Sequence, residues 1–104
     1  MLIAPTVATP HVAADYDFTT ETPKINGRDV HPLTGLVLTP LFNLLNWYPV
    51  VNVPSGLSSQ NTPIGMQVVA NSYHDEMAMR VAAAYAAAAP QMFSGALVPD
   101  FRGT

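Results

Sequence analysis

Three consecutive runs decide the fold: Pro49-Val50-Val51-Asn52-Val53-Pro54-Ser55-Gly56-Leu57, then Thr62-Pro63-Ile64-Gly65-Met66-Gln67-Val68-Val69-Ala70, then Ser72-Tyr73-His74-Asp75-Glu76-Met77-Ala78-Met79-Arg80-Val81-Ala82. Val50, Val51 and Val53 predict a β-branched strand that stops at Pro54-Ser55-Gly56. Asn52 interrupts it with a side chain that needs a partner if buried. Leu57 to Thr62 is a polar connection. Ile64 to Ala70 predicts a second strand, with Gly65 allowing a bulge or close backbone approach. Gln67 is the polar residue of that strand and is expected to bond to neighbouring backbone. Ser72 followed three residues later by Asp75 predicts a capping box and a helix. Asp75 and Glu76 suit the positive end of its dipole. Glu76 and Arg80 are an i,i+4 pair in the favourable order. Met77, Val81, Ala84, Tyr85 and Ala88 predict the buried face. The alanine-rich run from 82 to 89 favours helix, and Pro90 ends it.

Upstream, residues 33 to 47 (LTGLVLTPLFNLLNW) place apolar residues at helical spacing: Leu38, Leu41, Phe42 and Leu45. This predicts a helix capped at Thr34, kinked at Pro40 and buried almost all round. Residues 11 to 32 carry prolines and short polar residues that break helix, and Asn26-Gly27 predicts a hairpin tip. Leu2-Ile3-Ala4 fits a strand buried on both faces. Downstream of Pro90, Phe93, Leu97 and Phe101 are expected anchors of a tail wrapping another surface.

Composition narrows the function. The chain has 104 residues, one domain or part of one, able to bury roughly 65% of its unfolded surface if it stood alone. Charged residues make up only 11%, against about 25% in an ordinary soluble domain. A small domain has much surface to keep wet, so scarce charge implies surface that is normally covered. The net charge is −3 with four basic residues, which excludes a phosphate-neutralising stripe and argues against nucleic acid. There is no cysteine, hence no disulfide or thiolate nucleophile. No run approaches a membrane span, and Met1-Leu2-Ile3-Ala4-Pro5 is no signal peptide, so no membrane partner and a cytoplasmic location are expected.

The chemistry-bearing residues do not assemble into a known constellation. Ser55, Ser58 and Ser59 sit in a turn, where ordinary turn chemistry uses serine. His74 and Asp75 are adjacent and diverge by about 100° on a helix. His11, His31 and His74 lack metal-ligand spacing, so no metal and no cofactor are expected. Lys24, the only lysine, lies in a loop, where it is solvated and charged. Asp15, Asp17 and Glu21 form no acid pair with an apolar neighbour to raise a pKa.

The order of the short motifs resembles the carboxyl-terminal part of amidase-signature hydrolases. That family follows a strand ending V-P-x-G with L-P-x-G-x-Q-x-V and a helix opening F-D-E with L-x-R-V-A. The matching residues are Val53, Pro54, Gly56, Pro63, Gly65, Gln67, Val69, Asp75, Glu76, Arg80, Val81 and Ala82. Pro5, Thr6 and Pro10 match an upstream P-T element, and Phe42-Asn43 matches the F-N that closes the family's pocket helix. Asn43 to Pro49 is six steps rather than the commoner five. The resemblance is strongest from residue 41 to 85.

The resemblance implies an α/β fold in which residues 1–104 are a single partial domain. They would form the carboxyl-terminal segment of a larger amidase-like domain, contributing strands to a mixed sheet flanked by helices. Carried over by position, Leu33, Leu36 and Pro40 would bind the acyl part of a small amide substrate. The absence of an acid from residues 33 to 42 implies an uncharged acyl group. The family's nucleophilic serine, cis-peptide serine and lysine base lie in a Gly/Ser-rich region upstream that is absent here. No catalytic residue is therefore assigned, and the natural partner is the upstream catalytic portion of the same protein. The alternative is a non-catalytic structural module that completes its sheet as a homodimer.

Overall fold

The computed structural model describes residues 1–89, a small mixed α/β arrangement with antiparallel sheets and two helices. The elements are β1 (Leu2–Pro5), β2 (Lys24–Ile25), β3 (Arg28–Asp29), α1 (Pro40–Asn43), β4 (Val50–Leu57), β5 (Pro63–Val69) and α2 (Asp75–Ala88). The principal sheet has the order β1-β5-β4. Pairing sets Val51 and Ile3 opposite Val68, and Val53 and Pro5 opposite Met66. Opposed residues share a face, so one side of the sheet carries Val51, Val53, Met66 and Val68. That side meets α2. Val53, Val68 and Ala82 form the core, with Val51, Met66, Val81 and Tyr85 packed around them.

The buried stripe of α2 is Ala78, Val81, Ala82 and Tyr85, displaced from the face read in the sequence. Met77, Ala84 and Ala88 are exposed. Alanine at 78 and 82 lets the helix lie close to the valines, and large side chains there would hold it off. The capping box does not form. The N-cap is His74, with no side-chain cap bond. Tyr73 takes a left-handed φ of 61° within the turn closed by His74 N–H on the Asn71 carbonyl, so Ser72 lies outside the helix. Asp75 and Glu76 do occupy the first turn, and Glu76 and Arg80 are 4.0 Å apart on the surface.

Strand β4 runs through the predicted stop at Pro54-Ser55-Gly56 and ends at Leu57. It can do so because it is an outer strand, where a residue without an N–H removes no ladder bond. The register shifts between Pro54 and Gly56, leaving Ser55 as the extra residue of a bulge. The bulge lies on β4 and not at Gly65. Asn52 points to solvent and needs no partner. Gln67 is 1% exposed, and its Nε2 donates to the Pro5 carbonyl at 2.9 Å.

Strand β1 also departs from expectation. It is the other outer strand, with Leu2 and Ile3 exposed and not covered on both faces. Beyond it, Thr6 N–H reaches the Gly65 carbonyl, Leu38 N–H reaches the Thr6 carbonyl, and Ala8 N–H reaches the Leu36 carbonyl. Residues 36–38 are therefore extended alongside residues 6–8, where a helix was predicted. Only Pro40–Asn43 is helical, and Thr39, not Thr34, is its N-cap. Pro40 starts this helix rather than kinking one, as its missing N–H permits at the first position. The segment is not buried all round: Leu33, Leu41, Leu44, Leu45 and Trp47 are exposed.

The Asn-Gly reading matches the structure. Asn26 and Gly27, with φ of 50° and 77°, join β2 to β3 in a two-residue turn. Pro90, Phe93, Leu97 and Phe101 lie outside the described residues.

Candidate functional site

The chemistry-bearing side chains are spent on local structure. Ser58 Oγ accepts the N–H groups of Gln60 and Thr62 at 3.2 and 3.1 Å, so this serine closes a turn. Ser55 Oγ donates to the Ile64 carbonyl across the bulge. Lys24 pairs with Asp29 at 3.5 Å on the exposed hairpin. His31 Nδ1 accepts the N–H groups of Leu33 and Thr34, which leaves the neutral ring its proton on Nε2. No group of His, Asp or Glu able to hold a metal occurs among the described residues. No hydrogen bond among them joins a serine hydroxyl to a histidine or lysine, the contact that activates a nucleophile.

Asp17 organises the loop before the hairpin. Its carboxylate accepts Thr19 Oγ1 at 2.6 Å, Thr19 N–H at 2.8 Å and Thr20 Oγ1 at 2.9 Å. The Thr19 bonds, then the Thr20 bond, hold its pKa below the ordinary aspartate value. Such a carboxylate stays ionised and is a poor general acid. Partial burial, followed by the charges of Glu21 and Asp17, pushes the Tyr16 phenol up. The Tyr16 ring meets Phe18 edge-on at 4.8 Å.

The three residues assigned to an acyl pocket have different surroundings. Leu36 is buried, 7% exposed, with its carbonyl held by Ala8. Leu33 and Pro40 lie on the surface. Hollows among the described residues are lined by other side chains. An apolar groove of about 280 Å³ is bordered by Ile3, Pro5, Val7, Ser55, Ile64 and Met66. A polar hollow of about 420 Å³ involves Phe42, Asn43, Asn46, Tyr48 and Val50. A shallow one of about 220 Å³ lies at the start of α2, beside Tyr73 and Arg80.

The most informative surface is apolar. Among the described residues sixteen large hydrophobic side chains are exposed, from Leu2 and Ile3 through Leu44 (82%) and Trp47 (59%) to Met79. Among the described residues the buried apolar side chains larger than alanine are Leu36, Val53, Val68 and Val69. Isolated exposed leucines are ordinary, but an outnumbered core is not. The sequence signal for this surface is the low share of charge. Its location could not be read, because it depends on which strands end up outermost. Comparison with family models, with curated proteins and with solved structures returns no match for this chain.

Proposed function

We propose that the chain is the carboxyl-terminal portion of an amidase-signature carboxamide hydrolase, completing its sheet and lining its acyl pocket. One observation supports this most: the described residues expose far more large apolar side chains than they bury, and their principal sheet ends in the outer strands β1 and β4. Such a surface fits a piece whose apolar side and strand edges are covered by the rest of a larger domain. The ordered motifs from Val53 to Ala82 name the family on that reading. The complete protein hydrolyses a small amide through an acyl-enzyme, with nucleophile, bridging serine and base supplied from upstream, in the cytoplasm. This chain alone is inert.

Intact mass of the protein from its native source tests the reading. A mass of several tens of kilodaltons supports it, and a mass of 11.1 kDa, that of this chain, overturns it. In the complete protein, Leu33→Asp should change preference among amides of different acyl groups with the fold retained. Leu36→Asp is the poorer probe, because it buries a charge.

The two outer strands favour a second reading, a structural module that pairs with its own copy. Sedimentation of the pure chain separates them. A stable symmetric dimer supports the module, and irregular aggregation supports the fragment.

A further inference from the structure

We infer that Asn26 is a site of spontaneous covalent modification, converting to aspartate and isoaspartate through a succinimide that includes Gly27. Asn26 and Gly27 are both exposed at the tip of the β2–β3 hairpin. A side chain at Gly27 would meet nothing within 4 Å, so the space beside Gly27 is open to water. With no Cβ on Gly27, its amide nitrogen approaches Asn26 Cγ without steric resistance.

The turn must open for that approach, and little holds it shut. The ladder is two residues per strand, Lys24 opposite Asp29 and Ile25 opposite Arg28. Two-stranded hairpins are marginal in water even when longer. The one ion pair across it, Lys24 with Asp29, has both side chains about two-thirds exposed and adds little. The Pro23 carbonyl accepts Val30 N–H below the ladder, so the hairpin can open at its tip while its base stays closed.

In the step itself the Gly27 nitrogen forms a bond to Asn26 Cγ, and the amide nitrogen leaves as ammonia, taking the proton from Gly27. Water then adds to one of the two ring carbonyls. Opening at one gives aspartate, and opening at the other gives isoaspartate. Water is the only co-reactant. Either product adds one negative charge at the hairpin tip. Isoaspartate also lengthens the backbone within the turn, which a two-residue hairpin cannot absorb in register. The Lys24–Asp29 pairing is then lost.

The other five asparagines are internal controls. Each precedes a residue with a side chain: Leu44, Trp47, Val53, Thr62 or Ser72. Asn43 is in α1 and Asn52 in β4. Asn61 donates its N–H to the Ser58 carbonyl, and the Asn71 carbonyl accepts His74 N–H.

The test is to hold the complete 104-residue chain at mildly alkaline pH and physiological temperature, native and in urea, and map its peptides over time. The expected result is aspartate plus isoaspartate at Asn26, with a one-charge acidic shift on ion exchange, before change at any other asparagine. The native and urea-unfolded chains should convert at similar rates, and Gly27→Ala should slow the loss severalfold. Conversion first at Asn71, or an Asn26 that reacts only in urea, would overturn the inference.

Discussion

At the scale of the residue, Gly35 determines where the pocket-candidate segment can go. A Cβ there would lie 2.6 Å from Val30 Cβ and 2.7 and 2.8 Å from the His31 carbonyl oxygen and nitrogen. Two of the three obstacles are backbone atoms and the third is a Cβ fixed by its backbone, so none can rotate away. Gly35→Ala should therefore destabilise the chain by about 1–3 kcal/mol, the usual cost of overpacking, read as a lower urea midpoint at unchanged slope. An unchanged midpoint would mean that the turn from His31 to Gly35 does not fix Leu36. Asp17 gives a pH prediction. Its folded pKa is depressed, so its stabilisation of the loop is present above the ordinary value of about 3.9 and is lost as pH falls through the lower folded value. The Thr19 and Thr20 resonances should shift together in a single step below that value. Asp17→Asn should remove the step, and a midpoint at or above the ordinary value would contradict the geometry.

At the scale of the element, the core of β4, β5 and α2 rests on few side chains. Val68 is fully buried in one cluster with Val53 and Ala82. Val68→Ala should cost about 2 kcal/mol in calorimetry or urea titration, by lost burial and the void left behind. A cost near zero would mean that α2 does not pack where the structure has it. These same elements were the legible ones in the sequence. The β-branched valines of β4 and β5 form short apolar runs bounded by proline and glycine, and the alanine-rich run favours helix over any other regular conformation. The hairpin was legible because an Asn-Gly pair carries its own turn geometry. Residues 36–38 were not, since their leucines fit a helix as well as a strand, and their partners at Thr6 and Ala8 lie about 30 positions away. The start of α2 misled because Ser72 and Asp75 have capping-box spacing while Tyr73 turns the backbone left-handed between them. Of the proposed pocket, burial of Leu36 follows from this pairing, whereas the surface positions of Leu33 and Pro40 follow from turns that periodicity does not encode.

At the scale of the whole molecule, the exposed apolar surface predicts that the pure chain associates. Sedimentation velocity should show a concentration-dependent rise in size. Asn52→Lys places a charge on the exposed rim of β4 and should reduce association where it proceeds by strand addition. Association unaffected by that charge, but relieved by polar substitution of Ile3 and Met66, would place the contact in the groove instead. No helix among the described residues is long and apolar enough to cross a membrane, so the apolar surface is not that of a spanning helix.

The pairing of β1 with β5 has a consequence for the order of events during synthesis. The Gln67–Pro5 bond joins residues 62 positions apart. Of the three strands of this sheet β1 is made first, yet the strand it pairs with, β5, is made last. At about 5–20 residues per second the wait lasts roughly 3–12 s. During that interval Leu2 and Ile3 lack β5, and the loop that must close spans 62 positions. Strand β1 is thus the last part of the sheet to dock and the first to be surrendered to a chaperone.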